Sequence, residues 1–363
     1  MNGFVPGPDA LPLPAPVWLF TALLHLTLLV HLLLMNALLG GGLLALLSRF
    51  SRERPGDLHD QLFRRVSKLL PTLVAGTVTF GVAPLLFLQV LYGQFFYTAT
   101  IIMGWPWFLV TVFLILAYYG LYLNSFRGER LGDWRGPVFA ASVLLLLLIG
   151  FVFSNVSTLA LTPDRWPGLY FHAPGGTSWN LGEPTLWPRW LHMALGTVAV
   201  GGLWLALLAR WRGHSPELRA FLHRRGMTAF LWGTALNVPV GLWLLTTLPR
   251  GIRLSLMGGS PHGTGLLVAG LVLAAPLLWL SWRGRQEGDS SLAPLSALTV
   301  VTMLVMILLR QAVRDSYLAG LYRPQEMVVR TQGLNLVLFA VLLVGCLAVV
   351  VWMLRRLLAV LSR

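Results

Sequence analysis

The sequence predicts an all-α, polytopic membrane protein with about nine transmembrane helices, its N-terminus outside and its C-terminus in the cytoplasm. Three observations predict it. Of 363 residues, 56% are hydrophobic and only 11% are charged, whereas soluble domains carry about 25% charged residues. Several uncharged apolar runs reach 18 residues or more, and about 20 helical residues span a hydrocarbon core. Basic residues collect in alternate loops, the pattern that sets membrane topology.

The apolar runs fall at roughly 16–48, 69–95, 101–125, 137–161, 187–209, 227–248, 264–282, 292–313 and 333–354. No basic segment precedes the first run, so it is expected to be a retained span rather than a cleaved signal. An odd number of spans places the termini on opposite sides. Loops 49–68, 126–136, 210–225 and 283–290 and the C-terminal tail hold 19 of the 27 Lys and Arg, which assigns that face to the cytoplasm. The net charge of +14 is therefore read as topology in a cell inner (cytoplasmic) membrane. The expected surroundings are lipids, with no nucleic-acid partner. No linker divides the chain, so residues 1–363 are expected to form one transmembrane domain. The single cysteine, Cys346, excludes an internal disulfide framework.

One segment breaks the charge pattern. Residues 308–332 should face outside, yet they hold Arg310, Arg314, Arg323 and Arg330. Two explanations stand: pairing with Asp315 and Glu326, or an anionic ligand, since the arginine fork binds carboxylates in a bidentate way.

The interiors of the spans lack carboxylates, with Asp315 coming closest at the end of the eighth run. That argues against an ion-coupled transporter, whose relays need titratable groups in the membrane. A hydroxyl and amide path through Thr77, Thr79, Gln89 and Gln94 stays open. Imidazoles are present instead. His59, His214 and His223 are expected to be solvated in cytoplasmic loops, His172 lies in an outside loop, and His262 at the mouth of the seventh run. His25, His31 and His192 lie in or at the ends of spans. His25 and His31 are six residues apart, about 120° around a helix, so one metal is not expected to bridge them. An intramembrane imidazole serves either as an interhelical hydrogen-bond group or as an axial haem ligand. Gly40–Gly42, Gly196, Gly201 and Gly202 suit either a flat macrocycle or a close neighbouring helix. Walker, GxGxxG, CxxC, CxxCH and HExxH motifs are missing.

The order of features resembles subunit I of the cytochrome bd quinol oxidase family over about residues 16–250. LLHLTLLV around His25 is similar to that family's haem-ligating first helix, and FGVAPLLFLQVLYGQFF to its second. FSNVSTLALTP resembles the end of its fourth helix. PRWLHMALG resembles the opening of its fifth, where a His ligates the low-spin b haem. The resemblance implies His25 and His192 as iron ligands of two b-type haems, Arg189 at a propionate, and helix-five glycines that admit the porphyrin. Arg310, Arg314, Arg323 and Arg330 then become candidates for haem propionates or for an acidic redox partner. It also implies a second membrane subunit and an outside donor: quinol, a c-type cytochrome or an iron–sulfur protein.

The departures are specific. Gln89 stands where the family has a Glu, apolar LILAYYG occupies the place of the third-helix acidic pair, and the quinol loop shrinks to 248–263. RQAVRDSYL replaces the GRQPW signature. No Met in GTGLLVAGLVLAAP matches the family's sixth ligand, leaving Met303 or His262 as further axial candidates. The implied function is a divergent membrane b-type cytochrome that passes electrons through haem, with oxygen as a possible acceptor. The competing class is a non-redox permease or anchor, such as a copper carrier using Met103, Met193, Met303 and Met306.

Overall fold

The structure is a computed structural model and describes residues 5, 7–9, 11–211, 213–287 and 291–361; Arg212 and Arg363, two of the basic residues counted above, lie outside the described residues. It is all-α, with nine helices among the described residues long and apolar enough to cross a membrane. They are α1 (Val17–Ser51), α2 (Leu58–Ile102), α3 (Gly104–Arg127), α4 (Arg135–Leu159), α5 (Leu186–Leu208), α6 (Pro216–Thr247), α7 (Pro261–Glu287), α8 (Leu292–Leu318) and α9 (Gly333–Leu361).

Several helices run further than their apolar stretches. The 45 residues of α2 rise about 67 Å at 1.5 Å per residue, against a hydrocarbon core about 30 Å thick. The extension begins at a real start signal, because the Asp57 carboxylate accepts the Asp60 N–H at 2.7 Å. Ser215 caps α6 likewise, accepting the Leu218 N–H at 3.2 Å ahead of Pro216 at the first helical position. These extensions correct the loop placement of two histidines. His59 lies on α2 with its ring 4.9 Å from that of Phe221. His223 is buried on α6, and its Nε2–H donates to the Gly284 carbonyl at 2.8 Å.

Glycines set how closely the helices approach. A methyl on Gly40 would strike the Thr197 carbonyl, and one on Gly201 would strike the Gly40 backbone, so α1 and α5 touch main chain to main chain. Gly202 and Gly226 seat α5 on α6 in the same way, and Gly41 lies under the Trp204 ring. The expectation that helix-five glycines admit a porphyrin fails here for Gly201 and Gly202. A neighbouring helix already occupies the space that a Cβ would need.

The largest apolar core gathers Phe63, Leu70, Leu121, Phe139 and Leu205 toward the basic face. A smaller cluster at the opposite face joins Leu13, Leu24, Leu91, Tyr92 and Leu318. The N-terminal strap closes that face. Leu13 N–H donates to Val328 O, and Arg330 N–H donates back to Leu13 O, both at 2.8 Å. By contrast, α9 shows nearly all of its side chains outward from Gly333 to Met353.

Candidate functional site

The eighth helix continues to Leu318, so Arg310 and Arg314 sit on helix rather than loop. Four residues apart, they share a helical face. Arg189, in the first turn of α5, reaches the same place. The three guanidinium side chains line one cavity of about 40 Å³ with Tyr92, Phe95, Ser157 and Leu318. No carboxylate lines it.

The pairing explanation for these arginines is not what the structure shows. Among the described residues the ion pairs are Arg52–Asp60, Arg64–Asp60, Arg64–Glu129 and Arg165–Glu183. Arg314 instead donates to the Gln311 Oε1 at 3.0 Å and stands 4.6 Å over the Tyr92 ring. The Nε of Arg189 is buried without a partner. Asp315 accepts from the Gln311 Nε2 at 2.8 Å and from the Tyr92 hydroxyl at 3.4 Å. Arg323 and Arg330 are exposed in the following segment and do not join the cavity.

Tyr92 occupies a break in α2, where φ −134° and ψ 27° leave the helical range. The Tyr322 hydroxyl donates to the neighbouring Leu91 carbonyl at 2.6 Å. Burial, then the adjacent Tyr92, pushes the Tyr322 phenol up to about 12. Sequence reasoning missed Tyr92 and Gln311. The available signal was polar Gln311 spaced three and four residues from Arg314 and Asp315, within reach on one helix.

The three intramembrane histidines face different neighbours. His25 looks toward α8, where Gln311, Arg314 and Asp315 act on its ring, and its Nε2 is buried without a partner. His31 faces α2: its Nδ1–H donates to the Thr77 carbonyl at 3.0 Å, and a Cβ on Gly81 would lie 2.8 Å from the ring. It therefore serves as an interhelical hydrogen-bond group. His192 stands one turn below Arg189, with Gly241 of α6 so close that a Cβ there would lie 3.2 Å from the ring; its Nδ1 is buried without a partner.

The further axial candidates are not gathered at these rings. His262 is exposed in the first turn of α7, and Met303 is half-buried along α8. Met193 and Met306 fill notches over Gly150 and Gly270, while Met103 is fully buried among Phe96, Ala99 and Val152. These three methionines serve packing at separate helix contacts.

Comparison with solved structures then adds the fold's precedent. The chain superimposes on a chain of the structure of bd oxidase from Geobacillus thermodenitrificans with a TM-score of 0.71, covering 95% of this chain and 100% of that one at 14% identity. The fold is similar to that of a bd oxidase chain. No family model matches the sequence, and no curated protein matches it. At this identity the likeness to the bd oxidase chain is one of fold.

The donor chemistry fits a haem. Two buried imidazole nitrogens lack hydrogen-bond partners, and three guanidinium groups meet at a cavity whose lining holds no carboxylate, with Asp315 beside Arg314 and Glu183 within electrostatic reach of Arg189. The cavity itself, about 40 Å³, exceeds the roughly 10–15 Å³ of such space that a water needs. Seating the macrocycle requires side chains around it to part.

Proposed function

We propose that this chain is a membrane-bound b-type cytochrome, a divergent relative of cytochrome bd subunit I. It would hold two haem b groups, one on His25 and one on His192, and pass electrons through them in a respiratory chain of the inner membrane. One observation carries the reading: Arg189, Arg310 and Arg314 surround a single cavity with no carboxylate in its lining. Three like charges facing one another repel, so an anion at that spot is what offsets them. Haem propionates are carboxylates of the right kind for the arginine fork.

When bound, haem supplies one-electron chemistry. The residues of this chain bind, orient and neutralise. His25 and His192 would offer ring nitrogens, the arginines would neutralise the propionates, and the buried apolar cluster of Leu13, Leu24, Leu91 and Leu318 would limit water there. Low polarity and axial-ligand identity tune the potential. A second membrane subunit and an outside donor, whether quinol, a c-type cytochrome or an iron–sulfur protein, complete the reading.

The test is a reduced-minus-oxidised spectrum with pyridine haemochrome quantification on wild type, His25→Ala and His192→Ala. Two b-type haems in wild type and one lost in each variant is the expected result. A wild type without haem, purified from cells supplied with the cofactor, overturns the proposal.

A further inference from the structure

Arg49 directly follows the first apolar run, and Arg135 stands two residues ahead of the fourth. Both therefore lie at the depth of the cytoplasmic headgroups, because the hydrocarbon core ends where the apolar runs end. Topology explains which side of the membrane they occupy. It does not explain their arrangement.

The two side chains come from different helices and turn onto one ring. Their guanidinium carbons stand 5.8 and 5.0 Å from the ring centroid of Phe63, a fully buried residue of α2. Each arm also lies on a glycine. A Cβ on Gly136, in the first turn of α4, would lie 3.8 Å from the Arg49 Nε, and one on Gly128 would lie 2.8 Å from the Arg135 Nε. Packing and the ring face thus hold both cations in place. Neither forms an ion pair among the described residues, and both Nε atoms are buried without a hydrogen-bond partner.

The acids nearby are Asp60, Glu129 and Asp133, all within electrostatic reach. Asp60 pairs with Arg52 at 3.3 Å and Arg64 at 2.7 Å, and Glu129 pairs with Arg64 at 3.2 Å. Asp133 acts on Arg49 without pairing with it. The surroundings are those of a lipid. Phe50 and Trp134, the chain neighbours of the two arginines, are 73% and 72% exposed, and Leu47 of α1 and Leu144 of α4 are exposed within their apolar runs. Such leucines face acyl chains, and Trp favours the headgroup level.

We infer that Arg49 and Arg135 bind the phosphodiester of an anionic phospholipid in the cytoplasmic leaflet, with Leu47, Phe50 and Trp134 beside its acyl chains. The two free oxygens of a phosphodiester match two guanidinium forks. Basic pockets between spans on that side of a membrane suit such headgroups. Phosphatidylcholine brings its own ammonium to the phosphate, so a headgroup without one is preferred. The inference stands apart from the haem reading.

The experiment exposes the full chain in detergent to an equimolar mixture of phosphatidylglycerol and phosphatidylcholine, and native mass spectrometry counts the lipid that stays bound. Wild type is expected to retain phosphatidylglycerol in preference. Arg49→Gln and Arg135→Gln are each expected to cut that preference about fivefold, and the double variant to abolish it. Arg219→Gln, which removes an exposed arginine of α6, should keep it.

Equal retention of the two lipids by wild type overturns the inference. So does an equal loss in Arg219→Gln, which would mean diffuse surface charge. Inorganic phosphate that displaces the phosphatidylglycerol and matches its thermal stabilisation overturns the lipid assignment in favour of a soluble anion. If the double glutamine variant does not fold, Arg49→Lys with Arg135→Lys decides, since it keeps both charges and removes the forks. Its preference is expected to fall, and one unchanged from wild type overturns the inference.

Discussion

Arg189 of α5 and Arg310 of α8 line the same cavity with Arg314, and no carboxylate stands between them. A cluster of like charges that forms no ion pair among the described residues costs stability that a bound anion returns. Arg310→Met is therefore expected to stabilise the haem-free protein by about 1–2 kcal/mol. The same change should make haem easier to wash out. Thermal unfolding of haem-depleted and haem-loaded preparations measures both, and a variant that weakens the two forms equally would deny the arginines an anion-binding role.

Two glycines in the bundle should respond differently to a methyl group. Gly201→Ala drives a Cβ into the Gly40 backbone of α1 and should cost about 1–3 kcal/mol through overpacking. Gly241→Ala meets only the edge of the His192 ring, at 3.2 Å. It should leave the unfolding midpoint near wild type while shifting the spectral component that His192→Ala removes. Equal losses of stability in both would show that Gly241 is a packing glycine too.

At the outer face, the Asn155 side chain accepts the backbone N–H of Asn180 at 2.8 Å, and both residues are fully buried. Asn155→Leu strands that N–H, a loss of about 1–3 kcal/mol. Hydrogen exchange of the 173–185 segment reads it locally. Protection should fall there before it falls in α4.

The Asp57 cap gives a pH dependence outside the spans. Its carboxylate accepts the N–H groups of Asp60, Glu53 and Arg54, and the Asp60 bond first of all holds it below its ordinary carboxylate range. A depressed folded-state pKa means the contribution is present above the unfolded value of about 3.9 and is lost as pH falls through the folded one. Unfolding measured across that acid window should show the loss in wild type and its absence in Asp57→Ala. Asp57→Asn, which keeps an acceptor, should hold the α2 start without the pH dependence.

The spans were legible because their cause is local: hydrocarbon accepts only long apolar helices whose backbone is satisfied within the segment. Their ends were not. The α2 run of 69–95 grew to Leu58–Ile102, since hydropathy stops reporting where a helix leaves the lipid and caps take over. The same blindness put His223 in solvent, whereas α7 supplies its hydrogen-bond partner, the Gly284 carbonyl.

By itself the sequence determined the all-α membrane class, the number of spans, the basic face and the residues able to carry chemistry, because composition and periodicity act over neighbouring residues. Only the tertiary structure decided which of those residues meet. It spent Gly40, Gly201 and Gly202 on helix contacts, gave His31 to the Thr77 carbonyl, and drew Arg189, Arg310 and Arg314 to one cavity. The arginine cluster joins positions up to 125 residues apart in the chain, from Arg189 to Arg314. No local pattern encodes a distance of that kind; the packing of α5 beside α8 does.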